Sequence, residues 1–360
     1  MIKAFMLEGQ YWILKVLIVI NLVFIFPLFL FSASNMGLQD AIKHYILEKN
    51  GFWIAIKYQS ENLFSNIPCP LGEVGCHEGK MSFRLLLPIL YLAFNKIPLL
   101  VILLQYLLGL LASICFIKII FNVCDDKILA ILIYLSLLFT YTGSAHIFDI
   151  VTCADGLAYS FLIFSIYFRQ RNLIFLFLSL SFWVDERSII CSGFVLIYWL
   201  LFPKFDWNFT LEKSSQVAAV VVSWIVYFMI RWYLSYRFDL STPSESANFS
   251  YLLGKGTFIN VMRSLRSIEA LWLIVIFSIF LSLKNKFTFY SISVLMYWIF
   301  ILTVALCVAD TSRSMGYGII GLVISFIIII KNHKLTTYEL RTYMSIIFVI
   351  NILIPTRYLF

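Results

Sequence analysis

Long apolar stretches alternate with short polar connections along almost the whole chain. A membrane-spanning helix needs about 20 apolar residues, and several of the stretches are shorter, which predicts that polar groups are recessed at their ends. The stretches occupy residues 11–33, 98–121, 127–144, 152–168, 173–184, 188–203, 215–235, 269–284, 287–306, 314–331 and 341–357. The pattern predicts an all-α fold, a polytopic transmembrane helix bundle of about eleven spans that forms a single domain over residues 1–360.

A further apolar stretch, residues 84–94, decides the predicted topology. If it crosses the membrane, the basic connections at Arg169 and Lys284 lie outside, against the positive-inside rule. If it stays on the outer side as a half-helix, the short basic connections all lie in the cytoplasm. These connections contain Lys127, Arg169, Arg171, Lys204, Lys213, Lys284, Lys286, Lys331 and Lys334. We adopt the second topology, with the N-terminus inside and the C-terminus outside.

This topology leaves two long outer connections, residues 34–83 and 237–268. In the first, residues 38–48 have an apolar helical face that includes Leu38, Ile42 and Tyr45. Such a pattern predicts an amphipathic helix lying along the membrane interface. The short outer turns carry the remaining polar candidates, namely His146, Asp149, Asp155, Asp185, Glu186, Arg187, Asp310 and Arg313.

Composition favours lipid as the solvent for much of the chain. Hydrophobic residues make up 62% of the sequence and charged residues 13%, with a mean hydropathy of +0.93. A soluble domain carries roughly a quarter charged residues. The net charge of +8 does not indicate nucleic acid, because no basic stripe exists and the cytoplasmic ends of the spans account for the excess. The stretch 11–33 is too long for a typical signal-peptide core and predicts a retained anchor, with cleavage after Ala33 as the alternative.

Two of the seven cysteines stand apart from the apolar stretches. Cys69 and Cys76 lie in the polar run PCPLGEVGC. If this loop is extracytoplasmic, the two could form a disulfide that stabilises the protein by roughly 2.5 kcal/mol through loop entropy. If it is not, both remain thiols, and the sequence leaves the two states open.

Asp185-Glu186-Arg187 separates two short apolar stretches. A charge within a span costs at least about 2.5 kcal/mol on insertion scales, so such groups tend to be paired or functional. The tripeptide is either a charged turn that neutralises itself or a site where Arg187 faces a cavity and binds an anion, with a carboxylate fixing its orientation. Asp310 and Arg313 allow the same two interpretations.

Arg84 precedes the half-helix and either anchors it at the interface or joins the other arginines. Three arginines on one face would form a site for phosphate or pyrophosphate. His146 lies three residues before Asp149 and could pair with it, but these residues and Asp155 do not form a dense cluster with ligand spacing. We therefore predict no metal, with a divalent ion as the less favoured alternative.

The ordered set of polar motifs resembles that of GT-C-like bacterial membrane proteins, which are related to polyprenyl-phosphate-sugar glycosyltransferases. The matching pieces are Gln39-Asp40, Phe83-Arg84 through Pro88, His146 through Asp149, Asp185 through Ser188, and Asp310 through Arg313. Two positions depart from the usual pattern. Ala41 replaces the glycine after the aspartate, and Glu186-Arg187 reverses the usual order.

The resemblance implies an inverting glycosyltransferase, a multi-pass protein of the bacterial inner membrane. It would transfer a sugar from a polyprenyl-phosphate-linked donor to a saccharide or lipid-linked acceptor at the outer face. Asp40 would be the catalytic base and Arg84, Arg187 and Arg313 the phosphate ligands. The supporting residues would be His146, Asp149, Asp155, Asp185, Glu186 and Asp310.

Two other functions remain open at this stage. One is a transporter or flippase that moves a lipid-linked saccharide, and the other is a polysaccharide polymerase. A transporter is expected to carry charged groups on both leaflets and often contains paired repeats. The candidate residues lie on one face and no repeat is evident, so the sequence favours an enzyme.

Overall fold

The computed structural model describes residues 7–25, 51–67, 81–147, 155–201, 211–240, 257–284, 288–307, 311–331 and 335–353. Within these ranges every regular element is helical, which confirms the predicted all-α class. The helices are α1 (Trp12–Ile20, continued by a π-helical turn Asn21–Ile25), α2 (Gly51–Glu61), α3 (Leu86–Ala93), α4 (Pro98–Cys124), α5 (Lys127–Leu138), α6 (Tyr141–Ile147), α7 (Asp155–Tyr167), α8 (Arg171–Val184), α9 (Arg187–Leu201), α10 (Leu211–Phe238), α11 (Thr257–Ile268), α12 (Leu271–Lys284), α13 (Thr288–Leu306), α14 (Thr311–Gly316), α15 (Ile319–Lys331) and α16 (Thr337–Leu353).

Each predicted apolar stretch overlaps a described helix, but two stretches are broken. The stretch 127–144 divides into α5 and α6 at Phe139-Thr140, where the Thr140 hydroxyl donates to the Leu137 carbonyl and accepts from the Gly143 amide. Gly143 approaches the Leu137 carbonyl so closely that a side chain there would collide with it. The stretch 314–331 likewise divides into α14 and α15. Local hydrogen bonding, which hydropathy does not register, causes the first break.

Several helix ends are fixed by the residues that the sequence places there. Pro98 begins α4, a position where its missing N–H costs nothing. The Asp126 carboxylate caps α5 by accepting from the backbone N–H groups of Ile128 and Leu129. The N-terminus of α16 has a capping box in which the Glu339 carboxylate accepts from the backbone N–H of Thr336 and the Thr336 hydroxyl accepts from that of Glu339.

Two helices are surrounded by protein. Residues Asp155 to Ile166 of α7 are all buried, and α7 packs against α4, α6, α8, α9 and α15. Helix α15 is buried over nearly its whole length. A helix that is apolar all round is typical of the centre of a large bundle. Asp155, the first residue of α7, is therefore enclosed by protein.

Helix α10 presents the opposite environment. Its outward side chains include Phe228, Met229, Trp232 and Tyr236, of which Trp232 is 70% exposed. Within the described ranges two helices, α4 and α10, are long and apolar enough to cross a membrane, and a third span results if α11 and α12, which meet at an angle of 83°, count as one. These features are compatible with a membrane protein.

Side-chain contacts group the helix ends into two sets. At one end, Arg341 at the start of α16 pairs with Asp126 at the start of α5, with 2.6 Å between Nη2 and Oδ2. Gln216 near the start of α10 donates to the carbonyl of Arg169 just before α8. We call this the opposite end. The other end, which we call the site end, holds Arg84, Asp155, Asp185 and Arg313.

Both connections predicted to be long and outer contain helices that the sequence analysis did not predict. Helix α2 lies within residues 34–83 and α11 within residues 237–268. Both connections meet near the site end, where the Asn66 side-chain amide donates to the Asp239 carbonyl at 2.8 Å. The predicted interfacial helix 38–48 lies outside the described residues.

Candidate functional site

Asp155 joins two arginines that are distant in the sequence. The Arg313 guanidinium donates from Nε to Asp155 Oδ2 at 2.6 Å and from Nη2 to Oδ1 at 3.0 Å, a two-pronged contact. Arg187 Nη2 donates to Oδ1 at 3.3 Å, and the Tyr317 hydroxyl donates to the same oxygen at 3.1 Å. Asp155 is 1% exposed. Asp155, which the sequence analysis gave only a supporting role, is thus the residue that Arg187, Arg313 and Tyr317 all contact.

Asp185 makes the second set of contacts. Arg187 donates to it through Nε at 2.9 Å and Nη2 at 2.8 Å. Arg84 approaches the same carboxylate with 2.9 Å between Nη1 and Oδ2, and its Nε lies 3.8 Å from Glu186. The structure therefore brings Arg84, Arg187 and Arg313 together through two buried carboxylates.

Among the described residues, the charges of this cluster are balanced. Three guanidinium groups face the carboxylates of Asp155, Asp185 and Glu186. Burial alone would raise the pKa of Asp185, which lies in the turn between α8 and α9, but Arg187 and Arg84 lower this pKa below its usual range. Because the pKa of Asp185 is lower in the folded protein than the value of about 3.9 in the unfolded chain, its ionised carboxylate stabilises the fold at pH values above 3.9. This stabilisation is lost as the pH falls through the lower pKa of the folded protein.

Local structure holds these side chains in position. The Asp185 carboxylate accepts from the backbone N–H of Arg187, and the Ser188 hydroxyl donates to the Asp185 carbonyl, so the turn fixes itself. The Tyr159 hydroxyl of α7 donates to the Arg313 carbonyl at 3.1 Å. Gly316 makes room for that contact, since a side chain there would collide with the Tyr159 hydroxyl.

A cleft opens beside Arg187. It is small, with a cavity volume of about 10 Å³, which is room for about one water molecule, and it is lined by Arg187, Ile190, Cys191, Ile301, Val304 and Ser314. Its walls are the apolar faces of α9 and α13, while its polar lining is one guanidinium and one hydroxyl. Arg187 Nη1 lies 3.5 Å from Ser314 Oγ, which is the upper limit of a hydrogen bond.

Arg231 of α10 is a further cationic residue of this region that the sequence analysis missed. Its guanidinium carbon lies 4.1 Å from the centre of the Phe83 ring, and its Nη1 donates to the Tyr227 hydroxyl at 2.8 Å. Among the described residues no carboxylate forms an ion pair with it. A lone arginine inside the apolar stretch 215–235 was a usable signal, because a charge within a span is costly.

Helix α2 positions the segment before Arg84. The buried Gln59 side-chain amide donates to the carbonyls of Met81 and Ser82 at 3.2 and 2.9 Å, and the Arg84 amide donates to the Met81 carbonyl. Gln59 therefore fixes the backbone from which Arg84 reaches Asp185. The sequence analysis could not identify this role of Gln59, because it did not predict helix α2 and a single glutamine does not mark a site.

The remaining candidates lie outside the described residues: they are Asp40, Cys69, Cys76, Asp149 and Asp310. His146 is described only by its backbone position in α6. In the part of the chain that the structure describes, no group of three or more His, Cys, Asp or Glu side chains is arranged to hold a metal ion. The described cysteines, Cys115, Cys124, Cys191 and Cys307, are free thiols.

No protein-family model, curated protein or solved structure matches this chain. The resemblance to GT-C-like proteins therefore rests on the ordered motifs of the sequence alone.

Proposed function

We propose that this protein is a multi-pass membrane glycosyltransferase that uses a polyprenyl-phosphate-linked sugar. The observation that carries the proposal is the cluster in which Arg84, Arg187 and Arg313 meet around two buried carboxylates at one end of the bundle. A polyprenyl-phosphate donor has an apolar chain ending in a charged phosphate. Exposed apolar helix surface suits the chain, and guanidinium groups gathered at one end of the bundle suit the phosphate.

The carboxylates of the ion cluster orient Arg187 for contact with a phosphate. Asp185 and Asp155 hold one edge of the guanidinium in place. A group fixed in advance stabilises developing negative charge without reorganising. We propose that Arg187 contacts the phosphate directly, while Arg84 and Arg313 act mainly by fixing the two carboxylates that orient it.

The proposed transfer is a single displacement. Asp40, assigned by the resemblance, takes the proton from an acceptor hydroxyl, and the acceptor oxygen forms a bond to the anomeric carbon of the sugar. The bond between that carbon and the phosphate oxygen breaks, and its electron pair leaves with the polyprenyl phosphate. The anomeric configuration inverts.

We also propose eleven spans in the bacterial inner membrane, and the grouping of helix ends supports the assignment of two opposite ends to the bundle. The described pair Asp126 and Arg341 lies at the end assigned to the cytoplasm, whereas Arg84, Asp155, Asp185 and Arg313 lie at the end assigned to the outside.

The test is transfer from a radiolabelled polyprenyl-phosphate sugar in vesicles containing the purified protein. We expect Asp40→Asn to retain donor binding and to lose at least about 10²-fold in transfer rate, the usual contribution of a general base. Asp125→Asn, an exposed residue at the opposite end, is the matched control and should transfer normally. Donor that crosses the bilayer with its sugar still attached would instead indicate a transporter, and long product chains would indicate a polymerase.

A further inference from the structure

Helix α11 presents a polar face to the protein and an apolar face outward. Asn260, Ser264 and Ser267 are buried, whereas the exposed side chains include Phe258, Ile259, Met262 and Leu265. Phe258 is 70% exposed. A helix on the surface of a water-soluble domain has the reverse arrangement, with its apolar face inside.

The inner face of α11 is already satisfied by hydrogen bonds. The Ser267 hydroxyl donates to the Ser264 carbonyl, and the Thr142 hydroxyl of α6 donates to the Ser267 carbonyl at 3.2 Å. The helix packs against α6, α13 and α14. The polar side is therefore the side that docks on the bundle, and the apolar side is left to an external partner.

The direction of α11 is set by its junction with α12. The two helices meet at 83°, with Glu269 in the left-handed conformation at the junction. Helix α12 corresponds to a stretch that we assign as a span. If α12 crosses the bilayer, α11 lies almost in its plane, at the site end.

Two arginines lie on or beside the apolar face. Arg263 follows Ile259 by four residues and Arg266 follows Met262 by four, so each lies one helical turn along from an apolar side chain. Both arginines are exposed. A long cationic side chain beside an apolar face can reach the phosphates of lipid headgroups while its neighbours enter the acyl chains.

From these observations, we propose that α11 is an interfacial helix that binds the surface of an anionic phospholipid leaflet. The four apolar side chains enter the acyl region and the two arginines contact the headgroup phosphates. Because α11 packs on α14, which carries Arg313, this contact also supports the ion cluster from outside. The proposal concerns membrane contact alone and does not depend on sugar transfer.

The test places single spin labels on the full chain, with the native cysteines replaced, in vesicles of phosphatidylcholine and phosphatidylglycerol. Labels replace Phe258 or Met262, and collisions with lipid-soluble oxygen and with a water-soluble nickel chelate are compared. Leu107, exposed on α4, is the lipid-facing control, and Ser65, exposed after α2, is the water-facing control. We expect oxygen-to-nickel ratios near that of Leu107 and several-fold above that of Ser65.

Two results would overturn the proposal. A ratio like that of Ser65 would place α11 in water, and protection from both reagents would place it against another protein surface. A second arm replaces Arg263 and Arg266 by Gln together and repeats the measurement with and without phosphatidylglycerol. The label at Met262 should lie deeper in the anionic vesicles only when the arginines are present, and equal depth in all four samples would contradict the assigned role of the arginines.

Discussion

Arg313 and Asp155, 158 residues apart in the sequence, form a two-pronged ion pair in the interior of the protein. Asp155 begins helix α7, whose residues from Asp155 to Ile166 are all buried, and Arg313 lies in the short helix α14. The contact joins the middle of the chain to its last third and has little access to water. Its loss therefore affects both the fold and the orientation of Arg187, which shares the same carboxylate.

Asp155→Asn should destabilise the protein by about 3–5 kcal/mol, because it leaves buried guanidinium charge without its partner. The expected result is a lower thermal midpoint in detergent, measured by the fluorescence of a thiol-reactive dye or by circular dichroism. Asp125→Asn, at an exposed position, should change stability by no more than about 0.5 kcal/mol. The double variant Asp155→Asn with Arg313→Gln should be less destabilised than the sum of the single variants, and strict additivity would refute the pairing.

Gly316→Ala should disturb the same region by steric contact. The added methyl group would collide with the hydroxyl of Tyr159, which is fully buried beside Tyr317, and an overpacked core site costs about 1–3 kcal/mol. Tyr159→Phe removes the colliding atom and should recover part of the loss in the double variant. Thermal unfolding of the four proteins measures the coupling, and a double variant no more stable than Gly316→Ala would argue against this cause.

Arg187→Ala should weaken polyprenyl-phosphate binding by about 1.5–3 kcal/mol, the scale of a hydrogen bond to a charged group. Arg187→Lys should recover only part of this, because an ammonium group cannot reproduce the planar contact. Binding is measured on folded protein in vesicles by titration of the lipid. Arg237→Ala, an exposed arginine of α10, should bind normally. Normal binding by Arg187→Ala would contradict the proposed contact between Arg187 and the phosphate.

Membrane orientation gives a prediction that does not depend on chemistry. Cysteines introduced beside Asp40 and Asp310 should react with an impermeant reagent added from outside, while those beside Arg171 and Lys286 should react only after the membrane is opened. The positive-inside rule gives this pattern when residues 84–94 stay on the outer side. Labelling of the Arg171 position from outside would show that residues 84–94 cross the membrane. The candidate residues would then not share one face.

Cys69 and Cys76 should be linked if their loop faces an oxidising compartment. Mass mapping of peptides from protein kept under non-reducing conditions, with free thiols blocked first, would show the linked pair as one species that separates on reduction. The free thiols of Cys115 and Cys191, which are buried, serve as internal references after denaturation. Blocked but unlinked Cys69 and Cys76 would contradict the prediction.

Hydropathy predicted the main helices because a helix buried in lipid or in protein needs a long apolar stretch, whichever other helices it packs against. It could not predict α11, since that helix exposes Phe258 and buries Asn260, and its pattern alone does not say which face meets the protein. The charges of Arg84, Arg187 and Arg313 marked one end of the bundle. Nothing in the sequence, however, indicated that Asp155 contacts Arg313 at 2.6 Å, because that contact depends on tertiary packing.

The shared use of Asp155 by two arginines has a consequence for how the protein is made. Arg187 follows Asp155 by 32 residues, whereas Arg313 follows it by 158. At synthesis rates of about 5–20 residues per second, Arg313 emerges roughly 8–30 s after Asp155. During that interval Arg187 is the nearer partner that can neutralise the carboxylate while α7 enters the membrane. Arg187 would thus act as the provisional counter-ion during insertion, and Arg313 would complete the pairing only when the last third of the chain arrives.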